Sequence, residues 1–164
     1  MDAIEAIKQR SSVRDYKPDP VPREVLEEIV KCGSRAPSAM AVYPWHFVVV
    51  TDKAMLRKIA AATDYGKFIA NAPACIVVFC EDSTYYLEDG CAAVENILIA
   101  VTAHGLGSCW VAGDKKTYAD DMRDLLGAPR NHRLIALLPV GYPATPVKPA
   151  KKPGVAKVLH WERY

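Results

Sequence analysis

Apolar segments of helical and of strand spacing alternate along the chain and predict a protein that mixes helices and strands. Four segments are predicted helices: Asp2–Gln9, Pro22 to just before Gly33, Lys53–Ala62 and Lys115–Leu126. Within Gly105–Gly113 a turn is predicted to lead into a strand, and three further segments are predicted strands: His46–Thr51, Ala74–Cys80 and Leu134–Val140. The last two are apolar throughout, which is typical of strands covered on both faces. This alternation favours an α/β or mixed α+β fold of three layers, formed as one domain over residues 1–164.

A long apolar segment, Tyr85–His104, predicts a helix about 30 Å in length. Its four polar residues, Glu88, Asp89, Glu95 and Asn96, argue against a membrane span because each would be costly in lipid. A helix that is apolar on nearly all sides must be covered on most of them. Because one small domain offers little room for this, we expect the helix to lie against a second subunit.

The C-terminal segment combines an open middle with an apolar end. It is rich in proline and lysine, which disfavours a single regular element, yet it ends with Val158, Leu159 and Trp161. Such large apolar side chains are expected to be buried against another surface. We therefore expect residues 143–164 to form an extended tail that docks on the partner subunit.

Composition and charge argue against several classes of protein. The chain of 164 residues is 51% hydrophobic, and its 21 basic and 19 acidic residues give a formal charge of +2. So balanced a charge argues against a nucleic-acid-binding protein, which would carry a basic excess on one face. The N-terminus lacks the basic start and long apolar run of a signal peptide, so we expect a cytoplasmic protein without a membrane partner.

The sequence contains no local motif for a metal site or a catalytic nucleophile. Five cysteines form no C-x-x-C pair and mostly lie in apolar segments, which predicts buried free thiols: Cys32, Cys75, Cys80, Cys91 and Cys109. The four histidines are scattered, so no metal is predicted. The chain also lacks a G-x-S-x-G motif and a Walker motif. No side chain is therefore predicted to be catalytic.

The segment RSSVRDY, Arg10–Tyr16, places two arginines four positions apart around two serines. Arginine suits forked recognition of phosphate oxygens, and serine hydroxyls add short hydrogen-bond donors. Where a helix gives way to a loop, several such donors can converge on one anion. Taken alone, the segment is compatible both with a phosphate site and with an ordinary solvated surface.

Four motifs together resemble the nitroreductase family of FMN-dependent oxidoreductases, and the match runs over nearly the whole chain. They are RSSVRDY at Arg10–Tyr16, APSAM with PWHF within Ala36–Phe47, GLGSCW at Gly105–Trp110, and PVGYP at Pro139–Pro143. The short length resembles the compact branch of the family. The resemblance implies a three-layer nitroreductase-like fold, with a central and mostly antiparallel sheet flanked by helices. It also implies an intertwined homodimer with FMN at the subunit interface.

The resemblance further implies which residues hold the phosphate. In the family pattern R-x-S-x-[RK], the positions of Arg10, Ser12 and Arg14 bind the FMN phosphate or ribityl chain, with Ser11 nearby. A basic residue in the tail completes that site. Lys151 is the best match and Lys152 the next, in place of the arginine that is common in the family.

Two loops are implied to approach the flavin ring. The first lines the other subunit's flavin: Pro37, Ser38, Ala39 and Met40. The second brings backbone N–H groups near the ring at Leu106, Gly107 and Ser108, although a simple helix cap would also explain its glycines.

Two positions depart from the family pattern. Ala41 stands where the family usually has Asn, and Tyr43 stands where it usually has Gln. Each missing amide removes hydrogen bonds worth roughly 0.5–1.5 kcal/mol. These two residues are nevertheless counted among the expected flavin contacts.

The activity implied is ping-pong transfer of hydride from NADH or NADPH, through the flavin, to a small electron-poor acceptor such as a nitroaromatic or a quinone. In such a reaction the cofactor carries the chemistry, which agrees with the lack of a catalytic side chain. Two alternatives stay open. One is a non-redox flavin- or nucleotide-binding sensor or storage protein, and the other is a flavin enzyme of different outcome, such as dehalogenation or flavin breakdown.

Overall fold

The computed structural model describes all 164 residues and contains five α-helices and one five-stranded sheet. The helices are α1 (Ala3–Gln9), α2 (Arg23–Gly33), α3 (Lys53–Ala62), α4 (Tyr86–Ala103) and α5 (Ala119–Leu125). The strands are β1 (Trp45–Val50), β2 (Ala74–Glu81), β3 (Gly107–Ser108), β4 (Val111–Ala112) and β5 (His132–Gly141). Three single 3-10 turns lie at Ala39–Ala41, Lys67–Asn71 and Val155–Lys157. The mixed α+β fold predicted from the sequence is confirmed.

The sheet is antiparallel at every strand pair, and β5 lies at its centre. β2 pairs with β1 on one side and with β5 on the other. The second edge of β5 pairs with β3 and then with β4. The strand predicted to follow Gly105 is thus divided into two short strands, which are separated by Cys109 and Trp110.

Two hydrophobic cores lie on opposite faces of the sheet and account for the three layers. Successive residues of β2 alternate between them, since Ile76 and Val78 belong to the core that includes α2 and α4, whereas Val77 and Phe79 belong to the core that includes α3 and α5. This alternation is the two-residue period of a strand. β2 and β5 are therefore covered on both faces, as their unbroken apolar runs predict.

A β-bulge interrupts the pairing of β2 with β5. Val78 pairs with Ala136, but the next residue, Phe79, pairs with Leu134. Ile135 is the extra residue, and both Ile135 and Ala136 belong to the core on the α4 side. α4 approaches closely at this point, because a Cβ on Gly90 would lie 2.7 Å from Cγ1 of Ile135.

α4 is largely enclosed by its own chain, and its contact with a second subunit stays a prediction. Eight of its residues are buried within the chain itself, including Asp89, and none of its side chains is among the large exposed hydrophobic ones. Small residues explain this enclosure. Gly33, the last residue of α2, allows close contact with α4, since a Cβ there would lie 2.7 Å from Cγ1 of Ile97. Gly33 is therefore part of the helix interface, rather than the residue just past the helix end.

The first helix buries a small side chain and leaves its large apolar side chains exposed. Asp2 caps α1, and its Oδ1 accepts from the N–H of Glu5 at 2.9 Å. Ala6 is the buried residue of α1, whereas Ile4 and Ile7 are exposed by 62% and 52%. α1 therefore presents an apolar face to the outside of the chain.

The C-terminal tail lies on the surface. Every residue from Ala144 to Tyr164 is exposed. The start of the tail is fixed by a bridge between Tyr16 and Pro143 and by the N–H of Ala144, which donates to the carbonyl of Asp15 at 3.0 Å. None of the helices combines the length and the apolar character that crossing a membrane requires.

Candidate functional site

The segment after α1 runs alongside β3. α1 ends where the N–H of Arg10 donates to the carbonyl of Ala6 at 2.9 Å. Ser12 then forms a parallel bridge with Ser108, and the N–H of Val13 donates to the carbonyl of Ser108 at 2.8 Å. The arginine-containing segment is thus joined to the sheet through the GLGS turn.

The two-residue period of an extended chain places Arg10, Ser12 and Arg14 on one side and Ser11 and Val13 on the other. The contacts of the second group agree with this. The Ser11 hydroxyl donates to the carbonyl of Lys148 in the tail at 3.0 Å, and Val13 packs against Gly107. A Cβ on Gly107 would lie only 2.7 Å from Cβ of Val13, so glycine is required for this approach.

The polar groups on the first side retain free hydrogen-bonding capacity. Arg10 makes one ion pair, in which its Nε lies 3.9 Å from Oε1 of Glu95. Arg14 is exposed, and its guanidinium lies 5.9 Å from the centre of the Phe68 ring. Ser12 is also exposed. Two guanidinium groups and one hydroxyl therefore remain available for an anion, whereas the Ser11 hydroxyl is already used.

Tyr16 holds the far end of this segment. Its side chain is buried, and its hydroxyl lies 2.6 Å from the carbonyl of Val13 and 3.3 Å from that of Pro139 on β5. Burial raises the pKa of the Tyr16 hydroxyl well above its usual range, so it stays a donor. The sequence analysis assigned no role to Tyr16. Its position as an aromatic residue at the end of the RSSVRDY motif was the one feature that could have indicated this role.

Two cavities flank the segment on its two sides. A cavity of about 870 Å³ lies between α1, the end of α4 and the start of the tail, on the side of Ser11 and Val13. A smaller one of about 240 Å³ contains Arg14 together with the rings of Tyr65, Phe68 and Trp110. The arginines therefore do not line the larger cavity.

The GLGS turn serves partly as a helix cap. Gly105 has φ +72° and ends α4, with its N–H donating to the carbonyl of Thr102 at 2.9 Å. The N–H of Leu106 donates to the carbonyl of Val101 at 3.0 Å. Because α4 already uses both of these donors, neither is free for a flavin. Gly107 and Ser108 form β3.

The loop that contains Pro37 to Tyr43 is held by a buried carboxylate. Oδ2 of Asp89 accepts from the Ser38 hydroxyl at 2.7 Å, and Oδ1 accepts from the N–H of Ala39 at 3.0 Å. Oγ of Ser38 in turn accepts from the N–H of Tyr43 at 2.9 Å. Asp89 is missing from the sequence-based site, although a carboxylate within a mostly apolar helix was a signal for such a role.

Three residues of this loop have left-handed backbone geometry. Met40, Ala41 and Tyr43 have φ of 53°, 55° and 51°. Non-glycine residues other than Asn and Asp rarely adopt such values. The family's usual Asn would therefore fit the backbone at position 41 better than Ala41 does, apart from any hydrogen bond that its amide makes.

The predicted site residues do not form one site within the chain. The loop is anchored at Asp89, near the start of α4, whereas the GLGS turn follows its end at Ala103. That separation is about 20 Å along the helix, at 1.5 Å per residue. Lys151 and Lys152 are exposed and make no ion pair. The structure unites Arg10, Ser12 and Arg14 with the GLGS turn and holds the loop near the other end of α4. The tail meets the arginine-containing segment at Lys148, three residues before Lys151.

The cysteines are free thiols, as the sequence predicts. Cys75, Cys80 and Cys109 are buried, whereas Cys32 and Cys91 are partly exposed. Burial raises the pKa of Cys75 and of Cys80 to about 12, which keeps both protonated near neutral pH. These two thiols are therefore poor candidates for nucleophiles.

The strain at position 41 predicts that two substitutions stabilise the fold. Ala41→Gly and Ala41→Asn should each raise the free energy of unfolding by about 1 kcal/mol, because the left-handed conformation costs an alanine roughly 1–2 kcal/mol. Urea unfolding followed by circular dichroism measures the change. The matched control is Ala61→Gly, in the exposed face of α3, which should lose about 1 kcal/mol. If Ala41→Gly lowered the free energy of unfolding as much as this control does, the left-handed backbone at position 41 would not be strained.

Comparison with known proteins identifies the family of the chain. The profile of the Nitroreductase family matches residues 7–64 and 61–142. A candidate NADH dehydrogenase/NAD(P)H nitroreductase of Methanothermobacter thermautotrophicus is 35% identical over 150 residues, which cover 88% of this chain and 78% of that protein. A crystal structure of a protein of the same description from Bacteroides thetaiotaomicron superposes with a TM-score of 0.94 at 36% identity, covering 99% of this chain and 98% of the other.

A third similar protein was solved with a bound cofactor. It is a candidate nitroreductase from Desulfovibrio desulfuricans in complex with FMN, with a TM-score of 0.86 at 29% identity, covering 100% of this chain and 98% of that one. The family profile covers most of the chain, and the two solved structures share its fold over 99% and 100% of its length. The chain belongs to the nitroreductase family.

Proposed function

We propose that this protein is an FMN-dependent oxidoreductase that transfers electrons from NADH or NADPH to a small electron-poor acceptor, such as a nitroaromatic or a quinone. The observation that carries the proposal is the set of donors at Arg10, Ser12 and Arg14, which lie on one side of one extended segment and keep free hydrogen-bonding capacity. The FMN complex of the Desulfovibrio desulfuricans relative supports the choice of cofactor. The name of the Methanothermobacter relative supports the choice of electron donor.

The donor set suits the phosphate of FMN. Two guanidinium groups balance the charge of a phosphate monoester, and each can donate two parallel hydrogen bonds to its oxygens. The Ser12 hydroxyl adds a short donor between them. The chemistry that FMN supplies when bound is two-electron transfer from a reduced nicotinamide to the acceptor. Arg10 and Arg14 would anchor the cofactor and take no part in proton transfer.

A homodimer would complete the site, because the loop Pro37–Tyr43 is anchored near the start of α4, whereas Arg10 and Arg14 lie beside the turn that follows its end. The apolar surface needed for a second chain is present on α1, at Ile4 and Ile7, and on the tail, at Leu159 and Trp161, all of which are exposed. In the proposed dimer, each flavin is held by the arginines of one chain and covered by the loop of the other. Lys151 and Lys152 would reach the phosphate once the tail is docked.

The loop would then shape the binding of the ring and of the acceptor. Tyr43 is exposed and lies edge-on to Trp45, with ring centres 5.7 Å apart. It offers a phenol and an aromatic face where the family usually offers an amide. Ala41 offers no polar side chain at all. Fewer polar contacts around the ring favour flat, apolar acceptors over strongly polar ones.

Turnover is the first test of this function. The purified protein should be yellow and, when loaded with FMN, should oxidise NADH or NADPH with menadione as acceptor and show parallel lines in double-reciprocal kinetics. Omission of the acceptor, under anaerobic conditions, should stop the reaction after one flavin equivalent. Bound FMN without turnover with either nucleotide would instead favour the non-redox alternative.

The phosphate assignment is tested by removing both arginines. Arg10→Ala combined with Arg14→Ala should weaken FMN binding by about 100-fold or more, because each charged hydrogen bond contributes about 1.5–3 kcal/mol. Fluorescence titration of the apoprotein measures the dissociation constant, and circular dichroism verifies the fold. Arg57→Ala with Arg130→Ala removes the same charge from two exposed positions and should leave the affinity unchanged. If both double variants weakened FMN binding equally, Arg10 and Arg14 would contribute only their charge, and the phosphate assignment would be wrong.

The tail is tested by two paired variants that separate its two roles. Leu159→Ser with Trp161→Ser should raise the dimer dissociation constant at least tenfold, because both apolar side chains would be buried between chains. Lys151→Ala with Lys152→Ala should leave the dimer intact and weaken FMN binding about tenfold. Sedimentation equilibrium and FMN titration give the two constants. A dimer unaffected by the first pair would show that the tail does not contribute to assembly.

A further inference from the structure

We propose that the ends of β1, β2 and β5 hold a divalent transition-metal ion of the Zn²⁺ class through His46, Glu81 and His132. One ring nitrogen of each histidine and one carboxylate oxygen of Glu81 lie within 4.8 Å of one another. Sequence spacing could not reveal this group, because its members are separated by 35 and 51 positions and come together only in the sheet. The site is independent of the proposed flavin chemistry.

Strand register brings the three side chains to one face of the sheet. Glu81 pairs directly with His132 across β2 and β5. His46 pairs with Phe79, which lies two residues before Glu81 on the same strand. Directly opposed residues have Cβ atoms about 5 Å apart, and diagonal neighbours about 7–8 Å, so all three side chains can meet.

The β-bulge at Ile135 makes this arrangement possible. Before the bulge, Val78 pairs with Ala136, and an uninterrupted register would bring Arg133 opposite Glu81. The extra residue shifts the pairing by one position, so that His132 takes this place instead. Arg133 is directed to the opposite face, where its guanidinium lies 3.1 Å from Oδ2 of Asp82 and packs over the Tyr86 ring. Its positive charge is therefore kept away from the three donors.

The distances suit a small tetrahedral ion. Nε2 of His46 lies 3.2 Å from Oε1 of Glu81, and the two imidazole rings are 4.6 Å apart between centres. With metal–ligand bonds of about 2.0–2.1 Å, two ligands of a tetrahedral Zn²⁺ are separated by about 3.3 Å. The first pair already has this separation, and a small side-chain rotation would bring His132 to it. A water molecule would take the fourth position.

His132 is prepared for metal binding by its neighbours. Its Nδ1 lies 3.0 Å from Oδ1 of Asn131, an acceptor, which assigns the proton to Nδ1 and leaves the lone pair on Nε2. His46 and Glu81 are about half exposed, which gives an ion a path from solvent.

The type and the position of the donors indicate the ion and its role. Two imidazoles with one carboxylate suit Zn²⁺ and its neighbours in the first transition row, rather than Ca²⁺ or Mg²⁺, which prefer oxygen ligands only. The site lies at the start of β5, about 30 Å along that strand from Gly141 and β3. The ion would therefore join the ends of three strands and stabilise the sheet, without contact with the flavin.

Isothermal titration of the untagged, chelator-treated protein with Zn²⁺, in the presence of FMN, tests the site. We expect one ion per chain with a dissociation constant in the micromolar range or below. His46→Ala and Glu81→Gln, which change exposed side chains, should each weaken binding at least tenfold. His104→Ala and His160→Ala remove histidines outside the group and should have no effect. Zn²⁺ should also raise the unfolding midpoint of the wild type and not that of His46→Ala.

Two results would overturn the site. One is binding that is absent from the wild type or equal in His46→Ala, Glu81→Gln and the two control variants. The other is a thiolate charge-transfer band when Co²⁺ replaces Zn²⁺, because that band would place the ion on a cysteine such as Cys32 or Cys91. Co²⁺ bound by His46, Glu81 and His132 gives only the weak visible bands of nitrogen and oxygen ligands. Each variant should keep its yellow flavin colour, because the metal site does not contact FMN. A failure of the metal site can therefore be distinguished from a failure of the proposed function.

Discussion

The pairing of β5 on both of its edges is the constraint on which the rest of the structure depends. β2 lies along one edge, and β3 with β4 lies along the other. Both faces of β5 are buried, so its register is fixed by two cores at once. A slip of one residue would exchange the sets of side chains that face α4 and α5. The two candidate sites lie at opposite ends of this strand, and each depends on its register.

At the end near Gly141, β5 organises the donors for an anion indirectly. It holds β3, and β3 in turn holds the segment that contains Arg10, Ser12 and Arg14 through backbone pairing. Backbone pairing fixes the direction of alternate side chains before any ligand arrives. Donors that are ordered in advance lose less conformational entropy on binding, which is how a few polar groups can give useful affinity. The requirement for glycine at position 107 follows from the same close approach.

Local features of the fold could be predicted from the sequence, whereas features set by contacts between distant segments could not. α3 was predicted over Lys53–Ala62 and has those bounds, because its apolar period and its cap are local. The two-sided burial of β2 and β5 follows from their apolar runs. How far α4 is enclosed by its own chain could not be predicted, because this depends on Gly90 and Gly33, where neighbouring elements approach without a side chain between them.

The same distinction between local features and distant contacts applies to the candidate site. The RSSVRDY and GLGSCW motifs are local, and the sequence predicted that both belong to the cofactor site. The structure places them side by side, but it uses the N–H groups of Gly105 and Leu106 to cap α4. The group of His46, Glu81 and His132 depends on a bulge, which moves one strand by a single residue. A bulge depends on how two faces pack, and hydrophobic pattern alone does not specify it. Asp89 shows the same limit, since its polar partners lie 50 and 51 positions away.

The loop at Pro37–Tyr43 links folding to the proposed assembly. Its hydrogen bonds to Asp89 lie within one chain, so its shape is set before a second chain arrives. Three left-handed residues make that shape costly, and the buried carboxylate is what offsets the cost. A loop that gained its shape only on contact with a partner would have to order at that moment and would weaken the dimer. Because this loop is formed in advance, the stability of the proposed dimer depends on apolar burial at α1 and the tail, while the loop remains free to differ in sequence and in the acceptor that it favours.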